Sequence, residues 1–227
     1  MRSSFFLLFS LAVFGAHAEP PPSLEVAYEL QRNGSAIADV VERLKYAQGS
    51  YELVETWKGR GLYALLGSAR RVSRGSIVDN VLRPREFFDE RSGRATARAW
   101  FDWNKGTLTM QYKGEPKSER LRPDGQDRLS FLLALSLLPG HTQLASYHIA
   151  DGKGISHHRY AVRGTERIKT PAGEFDAVRV ERLRNPGDHD RAELWLAVSL
   201  GYIPIRLLDI EEDGTRYEQL ATRISRP

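Results

Sequence analysis

Hydrophobic and polar residues alternate along much of this chain in short runs. From Ala192 to Val198, the residues Ala192, Leu194, Leu196 and Val198 share one parity, while Glu193, Trp195 and Ala197 share the other. Tyr202 to Ile210 repeats the pattern with Ile203, Ile205 and Leu207 aligned. In Phe175 to Leu183 the odd positions Phe175, Ala177, Arg179, Glu181 and Leu183 oppose Val178 and Val180, giving one mostly apolar and one mixed face. A period of two is what a half-buried strand requires. Such runs are separated by Asn33-Gly34, Gln48-Gly49, Asn104-Lys105-Gly106, Lys113-Gly114, Asp151-Gly152, Pro171-Ala172-Gly173, Asn185-Pro186-Gly187 and Asp213-Gly214. Glycine accepts positive φ and Asn or Asp tolerates it, as tight turns between antiparallel strands demand. The pattern predicts roughly eleven or twelve strands joined by hairpins, an antiparallel meander curling towards a barrel.

One stretch breaks the rhythm. In Arg128 to Leu138 the residues Leu129, Phe131, Leu132, Leu133, Ala134, Leu135, Leu137 and Leu138 occupy nearly every face of a helix. Asp124 or Gly125 is placed to cap it, Asp127 to favour its positive end, and Pro139-Gly140 to stop it. A helix that is apolar all round must be surrounded, and the concave side of a curved sheet is the available place. The expected fold is therefore mostly β, a strongly curved antiparallel sheet or partly open β-barrel wrapped around one apolar α-helix. If the helix fills that side, little space is left for a large ligand; if it acts as a lid, a cavity can open. A second short helix is expected over Gly61 to Gly67.

The start of the chain adds an address. Arg2, an apolar run from Phe5 to Phe14 broken only by Ser10, and Ala16-His17-Ala18 form a secretory signal peptide with an A-x-A cleavage site. Cleavage after Ala18 is expected to release residues 19–227 as a single β-rich envelope domain in the periplasm. The apolar run is too short for a permanent transmembrane helix, and no later segment reaches the roughly 18 apolar residues that spanning needs. There is no cysteine, so neither a lipid-bearing cysteine at the cleavage site nor a disulfide is expected, and the core must hold the fold alone.

Charge and side-chain chemistry narrow the function by exclusion. The formal net charge of +4 is spread along the chain. Arg70-Arg71-Val72-Ser73-Arg74 is a local basic cluster, read as a solvated strand and loop because no nucleic-acid-binding motif accompanies it. His141, His148, His157, His158 and His189 supply no metal-ligand spacing; His157 and His158 are adjacent and face opposite sides of a strand, so no metal is expected. Gly75-Ser76 reads as a turn and Leu129-Ser130-Phe131 as helix, and neither is a nucleophile elbow. Glu211-Glu212-Asp213 sits by a hairpin turn, where solvation accounts for it. Trp57, Trp100, Trp103 and Trp195 read as core or sheet-surface residues. No catalytic residue, metal ligand or cofactor is assigned, and the binding residues are left unknown.

Five blocks carry a family resemblance: Phe101-Asp102-Trp103, Gln126-Asp127-Arg128-Leu129-Ser130, Lys169-Thr170-Pro171-Ala172-Gly173-Glu174-Phe175, Glu193-Leu194-Trp195-Leu196-Ala197 and Tyr202-Ile203-Pro204-Ile205-Arg206. In this order they resemble the bacterial domain of unknown function 3108 family, while Leu24 to Asn80 matches more loosely. The resemblance implies a secreted Gram-negative envelope protein of mostly β structure and supplies no catalytic residues. Physically, Thr170-Pro171-Ala172-Gly173 suits a strand-connecting turn. Pro204 within an apolar strand marks an edge or a bulge. Asp127-Arg128 reads as capping and anchoring of the helix start in preference to a charge pair at a cleft. Three functions from different classes follow as expectations. The first is a carrier or binding module for a hydrophobic, lipid-like ligand. The second is an envelope scaffold that contacts another envelope protein, with no nucleic-acid partner in either case. The third and weakest is a hydrolase.

Overall fold

Backbone turns with positive φ fold the chain back on itself at the expected places. Asn33 and Gly34 take φ values of 49° and 80°, and Gln48 and Gly49 take 50° and 72°. Such pairs match the right-handed twist of the flanking strands. Asp79 and Asn80 do the same at 51° and 60° without any glycine, which is why the sequence reading passed over that hairpin. The computed structural model describes residues 23–138, 142–185 and 187–226. The leader read over Met1 to Ala18, the helix stop at Pro139-Gly140, and His141 lie outside the described residues.

Fifteen strands follow, more than the eleven or twelve expected. They are β1 (Ser23–Arg32), β2 (Ser35–Ala47), β3 (Ser50–Gly59), β4 (Ser68–Val78), β5 (Val81–Arg91), β6 (Ala97–Asp102), β7 (Thr107–Gln111) and β8 (Lys117–Arg120) in the first half. The second half holds β9 (Gly125–Asp127), α1 (Ser130–Ser136), β10 (Leu144–Ala150), β11 (Ile155–Thr170), β12 (Gly173–Leu183), β13 (Arg191–Ala197), β14 (Ile203–Ile210) and β15 (Arg216–Ser225). All strands belong to one sheet, ordered β8 back to β1, then β15 back to β9. Neighbours are antiparallel except for β9 and β10, which run parallel. The seam between the two halves is the β1–β15 pair in the middle of the sheet.

The inner face is read off the alternation. On β1, Leu24, Val26, Tyr28 and Leu30 are buried while the residues between them are not. Fully enclosing an aliphatic or aromatic side chain such as Phe87 or Ile205 stabilises by about 1.5–3 kcal/mol each. Alternation fails on β13, where Glu193 through Ala197 are all buried, so both faces of this strand are covered. Pro204 lies on an interior strand opposite a register shift at Trp195/Leu196, which makes it a bulge residue and not an edge one. Gly75-Ser76 is likewise no turn but part of β4, beside a shift facing Pro84. A Cβ at Gly75 would stand 2.2 Å from the Arg83 carbonyl oxygen, so only glycine fits. Thr170 and Gly173 close the β11–β12 hairpin around Pro171-Ala172 as expected. The segment Gly61–Leu66 is a 3-10 turn, with Leu62 and Leu65 exposed.

The helix is shorter than the sequence suggests, Ser130–Ser136 in place of Arg128 to Leu138. Seven residues do not sustain a helix alone, so packing and capping must hold this one. Leu129, Leu132, Leu133, Ala134 and Leu135 are buried against the concave wall, in contact with β5, β9, β10 and β14. The cap is Asp127, not Asp124 or Gly125. Its Oδ1 accepts the amides of Leu129 and Ser130 at 2.8 Å, Ser73 Oγ donates to its Oδ2 at 2.6 Å, and its own amide donates to Ser130 Oγ. One buried carboxylate thereby ties β4, β9 and α1 together. Nearby, Gln126 Nε2 donates to the Leu82 carbonyl, so the β9 end of the sheet is held to β5 across the interior, and Trp103 Nε1, just after β6, donates to the Pro84 carbonyl of the same strand. Gly152, in the β10–β11 turn, packs so closely on the backbone of Ala97 and Arg98 that a Cβ would stand 2.5 Å from the Arg98 nitrogen.

A second polar cluster crosses the inner wall. Tyr28 OH donates to the Pro204 carbonyl at 2.8 Å and lies 3.4 Å from Glu42 Oε2. A phenol has one proton, so with that proton on Pro204 the Glu42 contact is best satisfied by a protonated acid. Burial and the neighbouring Glu55 charge push Glu42 up to about 8. Burial likewise pushes Asp127 up to about 6, against the Ser73 hydroxyl and the two amides that favour its charge.

Asp127→Ala is expected to destabilise the protein by about 2–4 kcal/mol in urea unfolding, because it removes the cap, strands two amides and leaves Ser73 Oγ with Tyr51 OH as its remaining partner. Asp127→Asn, which keeps an acceptor for both amides, should cost less. The folded state retains the Glu42 proton to about pH 8 while an unfolded glutamic acid loses it near 4.5, so this group's contribution falls as pH rises through that window. Glu42→Gln should flatten the decline and raise stability at pH 9 by about 1–3 kcal/mol, with little change at pH 4.

Candidate functional site

The helix fills most of the space beneath the sheet. Between Leu132, Leu133 and the wall of Leu24, Val26, Leu44, Leu53 and Ile203 only about 30 Å³ is open. The open volume lies instead beside the N-terminal end of α1, in two recesses of about 540 and 530 Å³. Arg128, Phe131, Arg182, Leu207 and Asp209 line both recesses and form the waist of one cleft. Arg128 comes from the link between β9 and α1, Phe131 from the first turn of α1, Arg182 from β12, and Leu207 and Asp209 from β14.

The recess on the β10–β14 side is mixed, with Arg128, Asp151, Lys153, Arg182, Glu193 and Asp209 set around an apolar and aromatic wall. Ile149, Ile155, Leu194 and Tyr160 form its wall, and Phe131 stacks on Tyr160 at a centroid distance of 5.7 Å. His158 lies on the same wall, its Nε2 2.8 Å from Ser156 Oγ. Burial and the Arg182 charge lower the pKa of this imidazole. Among the described residues no carboxylate hydrogen-bonds its other nitrogen, so the pair lacks the orienting third member of a Ser-His-acid triad.

The opposite recess is polar. Glu42, Glu55, Trp57, Arg71, Tyr217 and Gln219 line it together with Leu30 and Ile37. Arg71 is only 12% exposed; it donates to Glu55 at 2.8 Å and Asp89 at 3.3 Å and sits over the Trp57 ring. Four side-chain atoms lining the cleft, Glu42 Oε1, Trp57 Nε1, Arg182 Nε and Gln219 Nε2, are buried without a hydrogen-bond partner among the described residues. Buried polar groups are ordinarily satisfied, so such a concentration is unusual. Arg182 reaches Asp188 only at 3.6 Å, and Arg128 has no ion pair among the described residues. Burial raises the Asp209 carboxyl, with Arg182 and Arg128 pulling it down. The waist thus holds two under-paired guanidinium groups and one carboxyl whose charge is disfavoured.

The expectations from sequence divide accordingly. Asp127 is the structural member of the Asp127-Arg128 pair, whereas Arg128 opens into the cleft. The Arg70 to Arg74 cluster is strand throughout, without the loop expected of it. Arg71 points inward, and Arg74 is paired with Glu52 at 2.6 Å and Glu86 at 3.0 Å. Trp195 is buried, donates to Glu166 and carries Arg206 over its ring, while Trp57 faces the cleft. The histidines do not all stay apart. His157 and His158 take opposite sides as expected, but His148 faces His157 across the β10–β11 pair, with rings 4.5 Å apart. His148 Nδ1 lies 2.8 Å from Asp124 Oδ1. Arg182 and Asp209 carried no signal in the sequence, since nothing local distinguishes them from other strand residues.

The architecture has a counterpart among solved structures. Over 91% of this chain and 98% of the other, the fold is similar to a β-barrel-like protein of domain of unknown function DUF1849 from Brucella abortus, with a TM-score of 0.60 and 9% identity. A protein from Bacteroides fragilis described as exported, with a YmcC-like fold, aligns over 89% of this chain and 95% of its own at 14% identity and a TM-score of 0.38. One from Parabacteroides distasonis described as a lipoprotein aligns over 91% and 97% at 12% identity and a TM-score of 0.40. No curated protein matches the sequence. The family model described as "Protein of unknown function (DUF3108)" matches residues 23–220, nearly the whole sheet with its enclosed helix, and the chain belongs to that family.

Proposed function

We propose that this protein is a binding module of the cell envelope, held in the periplasm, for an amphipathic anion with a hydrocarbon tail. The observation that carries this reading is the waist of the cleft, where Arg128 and Arg182 stand under-paired beside the apolar wall of Phe131, Tyr160, Ile149 and Leu194. Guanidinium groups suit carboxylate or phosphate heads because they donate two parallel hydrogen bonds. A charge-assisted hydrogen bond contributes about 1.5–3 kcal/mol, and each buried methylene about 0.8 kcal/mol. A tail of about eight or more methylenes therefore outweighs one bidentate pair of about 3–6 kcal/mol, and a short soluble anion lacking a tail is a poor ligand. The narrow space between α1 and the sheet argues against a wholly apolar ligand lying under the helix. The envelope address rests on the leader pattern at the start of the chain.

A scaffold role is the second reading, favoured by Leu62 and Leu65, which are 84% and 86% exposed on the turn after β3. Native mass spectrometry of the protein recovered from periplasm, with titration of palmitate and of acetate, separates the two. Bound acyl anion, palmitate binding that acetate does not imitate, and an affinity loss of at least tenfold in Arg182→Ala and in Arg128→Ala are expected. Tenfold corresponds to about 1.4 kcal/mol. A clean unliganded mass with no palmitate binding, or binding indifferent to both arginines, would overturn the carrier reading in favour of the scaffold.

A further inference from the structure

Outside the cleft, Asp124, His148 and His157 converge at the β9 end of the sheet. One ligand atom from each, a carboxylate oxygen and two imidazole nitrogens, lies within 4.8 Å of the other two. Backbone pairing fixes this convergence. His148 and His157 are direct cross-strand partners, set by the hairpin that turns through residues 151–154. Gly125 pairs with His148 across the parallel β9–β10 contact, and the His148 amide donates to the Asp124 carbonyl at 3.3 Å, which holds Asp124 beside the histidine. The side chains are also held. Asp124 contacts His148 Nδ1 through both oxygens, at 2.8 and 3.0 Å, and Ser146 Oγ lies 2.8 Å from His157 Nε2.

We propose that these three residues form a divalent transition-metal site, with zinc as the best fit. Two imidazoles and one carboxylate are borderline donors suited to zinc and its neighbours, in contrast to the all-oxygen sets that calcium and magnesium prefer. Ligand atoms on a tetrahedral zinc at about 2.0–2.1 Å stand roughly 3.3 Å apart. The two rings now stack 21° from parallel, so sharing one ion through their in-plane nitrogens requires the side chains to turn towards each other, with the backbone pairing of His148 and His157 left as it is. For His148 to ligate through Nδ1, the hydrogen it shares with Asp124 is exchanged through solvent for one on Nε2, so that a neutral imidazole and a carboxylate oxygen both face the cation. Three protein ligands leave a fourth position for water, so the site is an open one. Its effect on the fold is specific. Zinc would pin the residue that precedes edge strand β9, a three-residue strand that leads into Asp127 and α1. No spacing between neighbours in the chain marks the site, because its ligands meet across strands. Counting out equally from the four-residue turn 151–154 brings His148 opposite His157.

The test is titration of zinc into the chain, expressed with its leader and recovered without a histidine tag, read by calorimetry and by thermal unfolding. One zinc per chain and a raised Tm are expected. His148→Ala, His157→Ala and Asp124→Asn should each weaken binding at least tenfold and abolish the rise in Tm, whereas His158→Ala, on the opposite face, should leave both intact. Zinc binding and stabilisation unchanged in the Asp124, His148 and His157 variants, or no binding at all, would overturn the proposal. Should a variant fail to fold, zinc-edge X-ray absorption of the unaltered protein decides the matter. Two imidazole shells support the site, and their absence refutes it.

Discussion

A single buried carboxylate holds the architecture to its shape. Asp127 accepts from the amides that open α1 and from a hydroxyl on β4, two parts of the chain separated by more than fifty residues. Without this junction, a seven-residue helix has too few internal hydrogen bonds to persist, and the β9 edge has only three residues with which to grip β10. Burial makes the charge costly and the three donors offset that cost, so the group is stable only when every partner is in place. That all-or-none character fixes where the helix begins, and therefore where the space beside it opens.

The consequence reaches the cleft through the next residue. Asp127 is turned into the protein and caps the helix, so the chain leaves it with Arg128 facing the other way, towards Arg182 and Asp209 on the opposite strands. Structural and functional demands thus fall on adjacent residues without competing. The helix fills the space under the middle of the sheet and leaves the volume beside its own first turn, which is why the cavity is amphipathic and not a greasy tunnel.

Much of this was legible in the sequence because the signals were local. Turns marked by glycine, an interruption of the ladder at Pro204, though not whether edge or bulge, and the apolar segment with its place on the concave side all follow from residue types that act within a few positions. The misses were non-local or lacked a strong residue. Asp79-Asn80 makes a hairpin without glycine, and β8 is entirely exposed and exists only because β7 offers it an edge. Parity misled on β13 because a second layer of side chains covers its outer face. The cleft was invisible because Arg128, Arg182 and Asp209 meet only after the sheet has curled. The histidine pair lay between these extremes, since hairpin register alone predicts it once the turn is fixed.

The seam at the centre of the sheet joins residues 23–32 to residues 216–225. Each half is a meander of neighbours that pair as soon as they emerge, but the strand that unites them is synthesised after every other described strand. The loop closed by that pairing spans nearly the whole described chain, so its entropic cost is met only at the end and folding should be slow for a protein of this size. Until then each half exposes an unpaired edge at β1 or at β15, the surface that invites pairing with another molecule. The interval between synthesis and completion is thus when this chain is most in need of protection.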